Sequence, residues 1–410
     1  MWCLENLSQI VTLDAAHSKD GRNLKPEDLS IRPNCSIVFD EHRILWIGNI
    51  IQIPDDYKKA KRIPLEGHVL TPEIVDSHTH LVFGGNRSKE YSMRLNGADY
   101  EAIAKAGGGI LSTMESTITA TEEELYKAGL ERIERMASYG IGTIEIKSGY
   151  GLSIESERKI SRVIHKLKEY FSPRIQILST YLAAHAVPGS FSTSKDYLDR
   201  VVLPLMQELS DEKIIDFVDI FHEQGYFNLE DTKTLFSKAK ILGLKLKIHA
   251  DEFNDNKGAV TACEHQALSA DHLLCTEDDG IKALSQASTV ATLLPGTAFF
   301  LGKKLANARR FLDEGCKVAI ASDYNPGSCH CDNLVLLASL SAKKLELNLC
   351  ELWSGMTLNA AHAVGLDQQG AIKLGLKPRF SLFKCQSIDE VTYNWGRNLA
   401  VSTQEYFPAH

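Results

Sequence analysis

From His68 to His80 the chain reads HVLTPEIVDSHTH, an apolar, β-branched run that stops at two histidines one residue apart. Such a run reads as a strand. Residues two apart in an extended chain point the same way, so His78 and His80 can reach one ion together at about 2.0–2.1 Å. In a parallel barrel the C-terminal end of a strand is also where the active site forms. Taken alone, the pair also reads as two polar residues solvated at a strand end.

The rest of the chain repeats the pattern. Candidate strands span residues 69–76, 141–147, 175–183, 217–222, 244–249, 267–271, 289–294 and 318–322, with amphipathic stretches between them. TEEELYKAGLERIERMASYG (residues 121–140) carries a capping box at Thr121 and Glu124 and a stop at Gly140, and LEDTKTLFSKAKILG (residues 229–243) also ends in glycine. Alternating strand and helix implies a parallel sheet with right-handed crossovers. Eight units suggest closure into a (β/α)8 TIM-like barrel, although a count does not by itself exclude an open sheet. Before the barrel, SIVFDEHRILWIG (residues 36–48) reads as a hairpin. After about Gly370, FSLFKC and then residues 389–395 are strand-like again. The expected organisation is a barrel over residues 68–368 and a small β-sandwich domain built from residues 1–67 and 369–410.

Composition narrows the function classes. The 410 residues are 44% apolar and 24% charged, a soluble globular profile, and the net charge of −8 argues against nucleic acid as a partner. MWCLENLSQI (residues 1–10) lacks the basic start and apolar run of a signal peptide, and no stretch approaches the roughly 20 apolar residues that span a membrane. Nine scattered cysteines read as free thiols in a reducing compartment, so a cytoplasmic location is expected.

Ionisable residues collect at the strand ends. LKLKIHADE ends a strand at His249, with Glu252 three residues on; LSADHL ends one at His272; VAIASDYNPGS ends one at Asp323. Each singly could be a loop residue in solvent, but a barrel would bring all of them together with His78 and His80. Neutral imidazoles and a carboxylate suit zinc or iron, and such an ion brings the ionisation of a bound water close to neutral pH. A nearby carboxylate can take the water's proton. The fourth strand, FVDIFHEQG, carries no lysine to bridge a second ion, and Lys147 reads as a surface or substrate-facing side chain. One ion is expected.

Seven motifs, in matching order over nearly the whole chain, carry a resemblance: DSHTHLVFGGNR (76–87), AGGGILSTMEST (106–117), EIKSGYGL (145–152), LAAHAVP (182–188), HADEF (249–253), SADHL (269–273) and SDYNPGS (322–328). The sequence resembles the amidohydrolase superfamily and, within it, the imidazolonepropionase family; HLVFGGNR, KSGYGL and DYNPGS carry the narrower likeness. Two departures are Pro72-Glu73, where Pro-Gly is usual, and Arg379-Phe380-Ser381-Leu382, where Ala-Asp-Leu is common; both are expected to affect turns and the small domain, not the site. A third, Cys329-His330-Cys331, is read as structural, because adjacent residues cannot easily share one ion.

What the resemblance implies is specific. His78, His80, His249 and Asp323 would hold one ion, Zn2+ or Fe3+. Arg87, Tyr150, His185, Glu252, Asn325, Gly327 and Ser328 would contact substrate. Asp323, Glu252 and His272 would move protons. The reaction would be hydrolysis of 4-imidazolone-5-propanoate to N-formimidoyl-L-glutamate, the third step of histidine degradation. The substrate's propionate needs a cation, and Arg87, behind a flexible Gly84-Gly85, offers a planar fork for it. Asp323 would deprotonate the water, His272 would steady the developing oxyanion, and Glu252 or His272 would protonate the leaving nitrogen. A metal-dependent deaminase of a heterocyclic base is the competing enzyme reading, and a barrel that kept its shape but lost turnover is the non-catalytic one. Barrels of this type commonly pair, so a homodimer is expected. The sequence leaves open whether Gly107–Gly109 forms a lid.

Overall fold

The eight β-branched runs form one continuous parallel sheet in a computed structural model that describes residues 1–98 and 107–406. Ala106, which opens the glycine motif, and the last four residues lie outside the described residues. The barrel strands are β6 (Ile74–Asp76), β7 (Ile141–Lys147), β8 (Gln176–Ala184), β9 (Phe217–His222), β10 (Lys245–Ala250), β11 (Ser269–His272), β12 (Val290–Leu293) and β13 (Val318–Ile320). Each pairs in parallel with the next in sequence. They are buried on both faces, as a sheet wrapped by crossover helices must be.

The two ends of this sheet meet beyond its regular strands. Thr79 and Tyr324 form a parallel bridge, His80 N donates to Tyr324 O at 3.0 Å, and Asp323 N donates to His78 O at 3.1 Å. The seam between first and last strand is therefore made by the His-x-His segment and the Asp323 loop. The outer helices bury their apolar stripes on the barrel. In the helix Glu122–Ser138, Leu125, Ile133 and Met136 face inward, and Thr121 and Glu124 form the expected capping box. Among the described residues no helix is long and apolar enough to cross a membrane.

The chain's two ends build a second sheet of seven strands: β1 (Trp2–Val11), β2 (Ile31–Phe39), β3 (Ile44–Gly48), β4 (Lys61–Pro64), β5 (His68–Pro72), β14 (Phe380–Lys384) and β15 (Ala400–Val401). The expected hairpin is β2–β3, and its turn is held by Asp40 Oδ1, which accepts from His42 N and Arg43 N, each at 2.8 Å. Leu4, Ile10, Ile37, Phe39, Leu70 and Leu382 fill this sheet's own core.

Two expectations need correction. The strand expected over residues 69–76 is two strands: β5 pairs with β1 and β14 in the terminal sheet, and only β6 enters the barrel. The change of partner falls at Glu73, between β5 and β6. Residues 389–395 are not a strand. Asp389–Tyr393 is a short helix, with two acidic residues in its first turn and Ser387 N donating to Glu390 Oε1 at 3.1 Å.

Candidate active site

His78 and His80 extend from the C-terminal end of β6 and His249 lies near the end of β10. One ligand atom from each falls within 4.8 Å of the others, and all three residues are buried. Asp323 Oδ1 lies 3.6 Å from His78 Nε2 and 3.5 Å from His80 Nε2. Nε2 of His78 and Nε2 of His249 are buried with no hydrogen-bond partner among the described residues. Buried nitrogens are seldom left unpaired, and a cation between them would take both lone pairs. Burial holds His78 and His80 well below the ordinary 6.5, which keeps them in the neutral form that binds metal. The cluster is a site for a divalent ion.

The carboxylates behind these imidazoles were not singled out from sequence. Asp271 Oδ2 lies 2.7 Å from His78 Nδ1, so Nε2 is the free nitrogen. Asp219 Oδ2 lies 3.1 Å from His249 Nδ1, and its Oδ1 accepts from His249 N at 3.2 Å. Lys147 is neither on the surface nor facing substrate. It is fully buried, bonded to Glu145 Oε1 at 2.7 Å and Asp219 Oδ2 at 2.8 Å. Burial would lower its pKa, but the carboxylates around it more than offset that and raise it.

Above the cluster opens a cavity of about 480 Å³. Arg87, Tyr150, His185, Glu252, Asn325, Gly327 and Ser328 all line it, together with His80, His249, His272 and Asp323. His185 stacks on His80, with ring centroids 5.2 Å apart, and burial pushes its imidazole down to about 4. Tyr150 packs beside both rings, and burial raises its phenol, so it remains a donor. His272 Nε2 lies 3.7 Å from Glu252 Oε2. Asp323 Oδ2 accepts from Thr297 Oγ1 at 2.6 Å, and burial pushes the Asp323 carboxyl up to about 6. Backbone strain collects here: His272 has φ 81° and Asp323 φ 51°, both in the left-handed region.

The fork of Arg87 is already used. Its Nε donates to Glu90 Oε2 at 2.8 Å and its Nη2 to Glu90 Oε1 at 2.5 Å. Its Nη1 rests against Gly327, where an added Cβ would come within 1.8 Å, so any side chain there would displace the guanidinium. Glu90 also accepts from Arg94 and from Gly109 N at 2.8 Å, which fixes the end of the glycine segment at the cavity wall. Arg94 and Lys303 line the cavity as well and were not anticipated. Asn325 spends its side chain within its own turn, accepting from Gly327 N and Ser328 N and donating to Asp323 O and Ser328 Oγ. Gly84 serves close packing, not flexibility: an added Cβ would sit 2.4 Å from Ser116 O.

The sequence profile of the amidohydrolase family matches residues 69–402. The imidazolonepropionase of Bacillus velezensis is 38% identical over 397 residues, covering 96% of this chain and 93% of that one. The imidazolonepropionase of Clostridium tetani is 37% identical over 400 residues, covering 97% and 94%. Among solved structures, the atrazine chlorohydrolase of Arthrobacter aurescens TC1, complexed with zinc, superposes with a TM-score of 0.67 at 15% identity over 95% of this chain and 88% of that one. An amidohydrolase from a Sargasso sea sample gives 0.69 at 15% identity, covering 98% and 90%. At such identities the structural likeness is one of fold.

Proposed function

The chain belongs to the amidohydrolase family, and from that premise we propose that it hydrolyses the ring of 4-imidazolone-5-propanoate to give N-formimidoyl-L-glutamate, the third step of histidine degradation. The observation that carries this reading is the pair of orphaned imidazole nitrogens on His78 and His249, beside a cavity that His249 and Arg87 both line. His78, His80, His249 and Asp323 are the ligand set. The donors suit Zn2+ and Fe3+ alike, and elemental analysis of the purified protein distinguishes them.

An ion held there supplies Lewis acidity, which makes water nucleophilic near neutral pH. The protein's own groups do the rest. Asp323, its Oδ1 turned to the imidazoles and its Oδ2 steadied by Thr297, takes the proton of the attacking water. The water oxygen bonds to the ring carbonyl carbon, and His272 donates a hydrogen bond to the oxyanion that develops. As the carbon–nitrogen bond breaks, Glu252 or His272 protonates the departing nitrogen. Tyr150 donates to the substrate and His185 flanks it. Arg87, pinned by Glu90, turns its remaining N–H edge to the propionate, and Asn325 shapes the turn that presents Gly327 and Ser328. We place the protein in the cytoplasm as a homodimer, which light scattering on the purified chain checks.

Incubation with 4-imidazolone-5-propanoate tests the reading. The substrate's ultraviolet absorbance should disappear without release of ammonia, and a chelator should stop the loss. Ammonia release from a heterocyclic amine, with no loss of the imidazolone, would favour a deaminase instead.

A further inference from the structure

The chemistry above leaves Lys147 unused, although it is among the largest fully buried side chains of the molecule. Three carboxylates surround its ammonium: Glu145 at 2.7 Å, Asp219 at 2.8 Å and Asp271 at 3.8 Å. Each leads to a different part of the histidine cluster. Asp271 Oδ2 lies 2.7 Å from His78 Nδ1. Asp219 lies 3.1 Å from His249 Nδ1 and accepts from that residue's backbone N. Glu145 Oε2 accepts from Thr79 N at 3.3 Å, and Thr79 Oγ1 donates to Glu145 O at 2.7 Å, which fixes the peptide joining His78 to His80. Lys147 N itself donates to Thr79 O at 2.9 Å.

A carboxylate behind a ligand imidazole sets its tautomer and its aim. Three carboxylates buried in one layer repel one another, and one that turned away would release its imidazole. A single compact ammonium within reach of all three prevents both. We propose that Lys147 is a positioning residue for the metal site, holding from beneath the carboxylates that orient His78 and His249 and the peptide that joins His78 to His80. Lys247 provides the contrast. Its ammonium is as deeply buried, but it bonds to Ser269 Oγ at 2.6 Å and Ala363 O at 3.2 Å, and its ion-pair partner is Asp271, at 3.6 Å.

The inference rests on the ligand set proposed above, and binding of Zn2+ to the unaltered protein in the same experiment separates failure of that set from failure of this role. Zn2+ affinity is measured by competition with a chromophoric chelator, and ligand geometry by the visible bands of the Co2+ form. Lys147→Met should weaken Zn2+ binding about 10–100-fold and shift the Co2+ bands, while Lys247→Met stays within about threefold of the unaltered protein. A purely structural lysine would lower the melting temperature and leave both readouts alone; that result in Lys147→Met overturns the proposal. If Lys147→Met does not fold, Asp219→Asn cuts the arm to His249 while keeping its shape. It should weaken Zn2+ binding in the same direction, and unchanged affinity there overturns the proposal equally.

Discussion

Under the proposed mechanism, Asp323 is the residue on which turnover depends most. Its Oδ2 is occupied by Thr297 and its Oδ1 faces His78 and His80, so an amide fits the same space but cannot accept the water's proton. Asp323→Asn should fold and lose about 10²–10⁴-fold in kcat; steady-state kinetics beside a circular dichroism spectrum checks both halves. A second residue sets pH dependence of stability. Burial, with help from the Lys317 ammonium, pushes the His362 imidazole down from 6.5 to about 4. Its folded pKa lies below its unfolded one, so the unfolded chain takes up the proton first as pH falls. The stability tied to neutral His362 is complete above pH 6.5 and is lost progressively down to about pH 4, on the order of 2 kcal/mol after screening. His362→Gln should flatten the urea-midpoint profile across that window. The ligand candidates were legible because imidazoles and carboxylates ended apolar strands. Lys147 was misread as a surface or substrate-facing side chain, and Asp219 and Asp271 were not singled out, yet a signal existed. Glu145 and Lys147 stand two apart, as do Lys247 and His249, so each pair shares a strand face. In a strand buried on both sides, a charged face must line the barrel's interior.

At the level of elements, the two departures from the family pattern turn out to be partners. Glu73 replaces the usual glycine, and its carboxylate lies 2.8 Å from Arg379 Nη2 and accepts from Thr143 Oγ1 at 2.6 Å. Arg379 also donates to Gly142 O at 3.0 Å, and Ser381 Oγ donates to Gly140 O and accepts from Ile74 N. The departures thus form the joint between terminal sheet and barrel, at the point where β5 gives way to β6. Removing one partner of such a buried pair is costly, while replacing both with apolar groups is far less so. Glu73→Ala should destabilise the protein by about 3–5 kcal/mol, and the double variant Glu73→Met with Arg379→Met should recover most of that in denaturant unfolding. Two sequence positions more than three hundred residues apart gave no hint of this contact, since only the fold brings them together. The Thr121–Glu124 capping box and the β2–β3 hairpin were legible because their determinants are local. The helix Asp389–Tyr393 was misread as strand because its apolar and aromatic residues suit either state over so short a span.

For the whole molecule, the barrel closes through the segments of the candidate site. The bonds from His80 N to Tyr324 O and from Asp323 N to His78 O join first strand to last. The proposed ion, held from both sides of that seam, would tie it further. With free ion at 1,000 times its dissociation constant, the linkage is worth about 4 kcal/mol. Chelation should therefore speed amide hydrogen exchange at residues 78–80 and 323–324 ahead of the terminal sheet, a pattern mass spectrometry resolves. Eight alternating units made the barrel legible. The seam was not, because it lies in loops beyond the periodic strands. The most direct test is a titration: chelator-stripped protein is given Zn2+ in steps while the absorbance of 4-imidazolone-5-propanoate is followed. Turnover should rise from near zero in proportion to the ion added and level off at one per chain. Full activity in the stripped protein, or a plateau only at two ions per chain, would contradict a site built from His78, His80, His249 and Asp323.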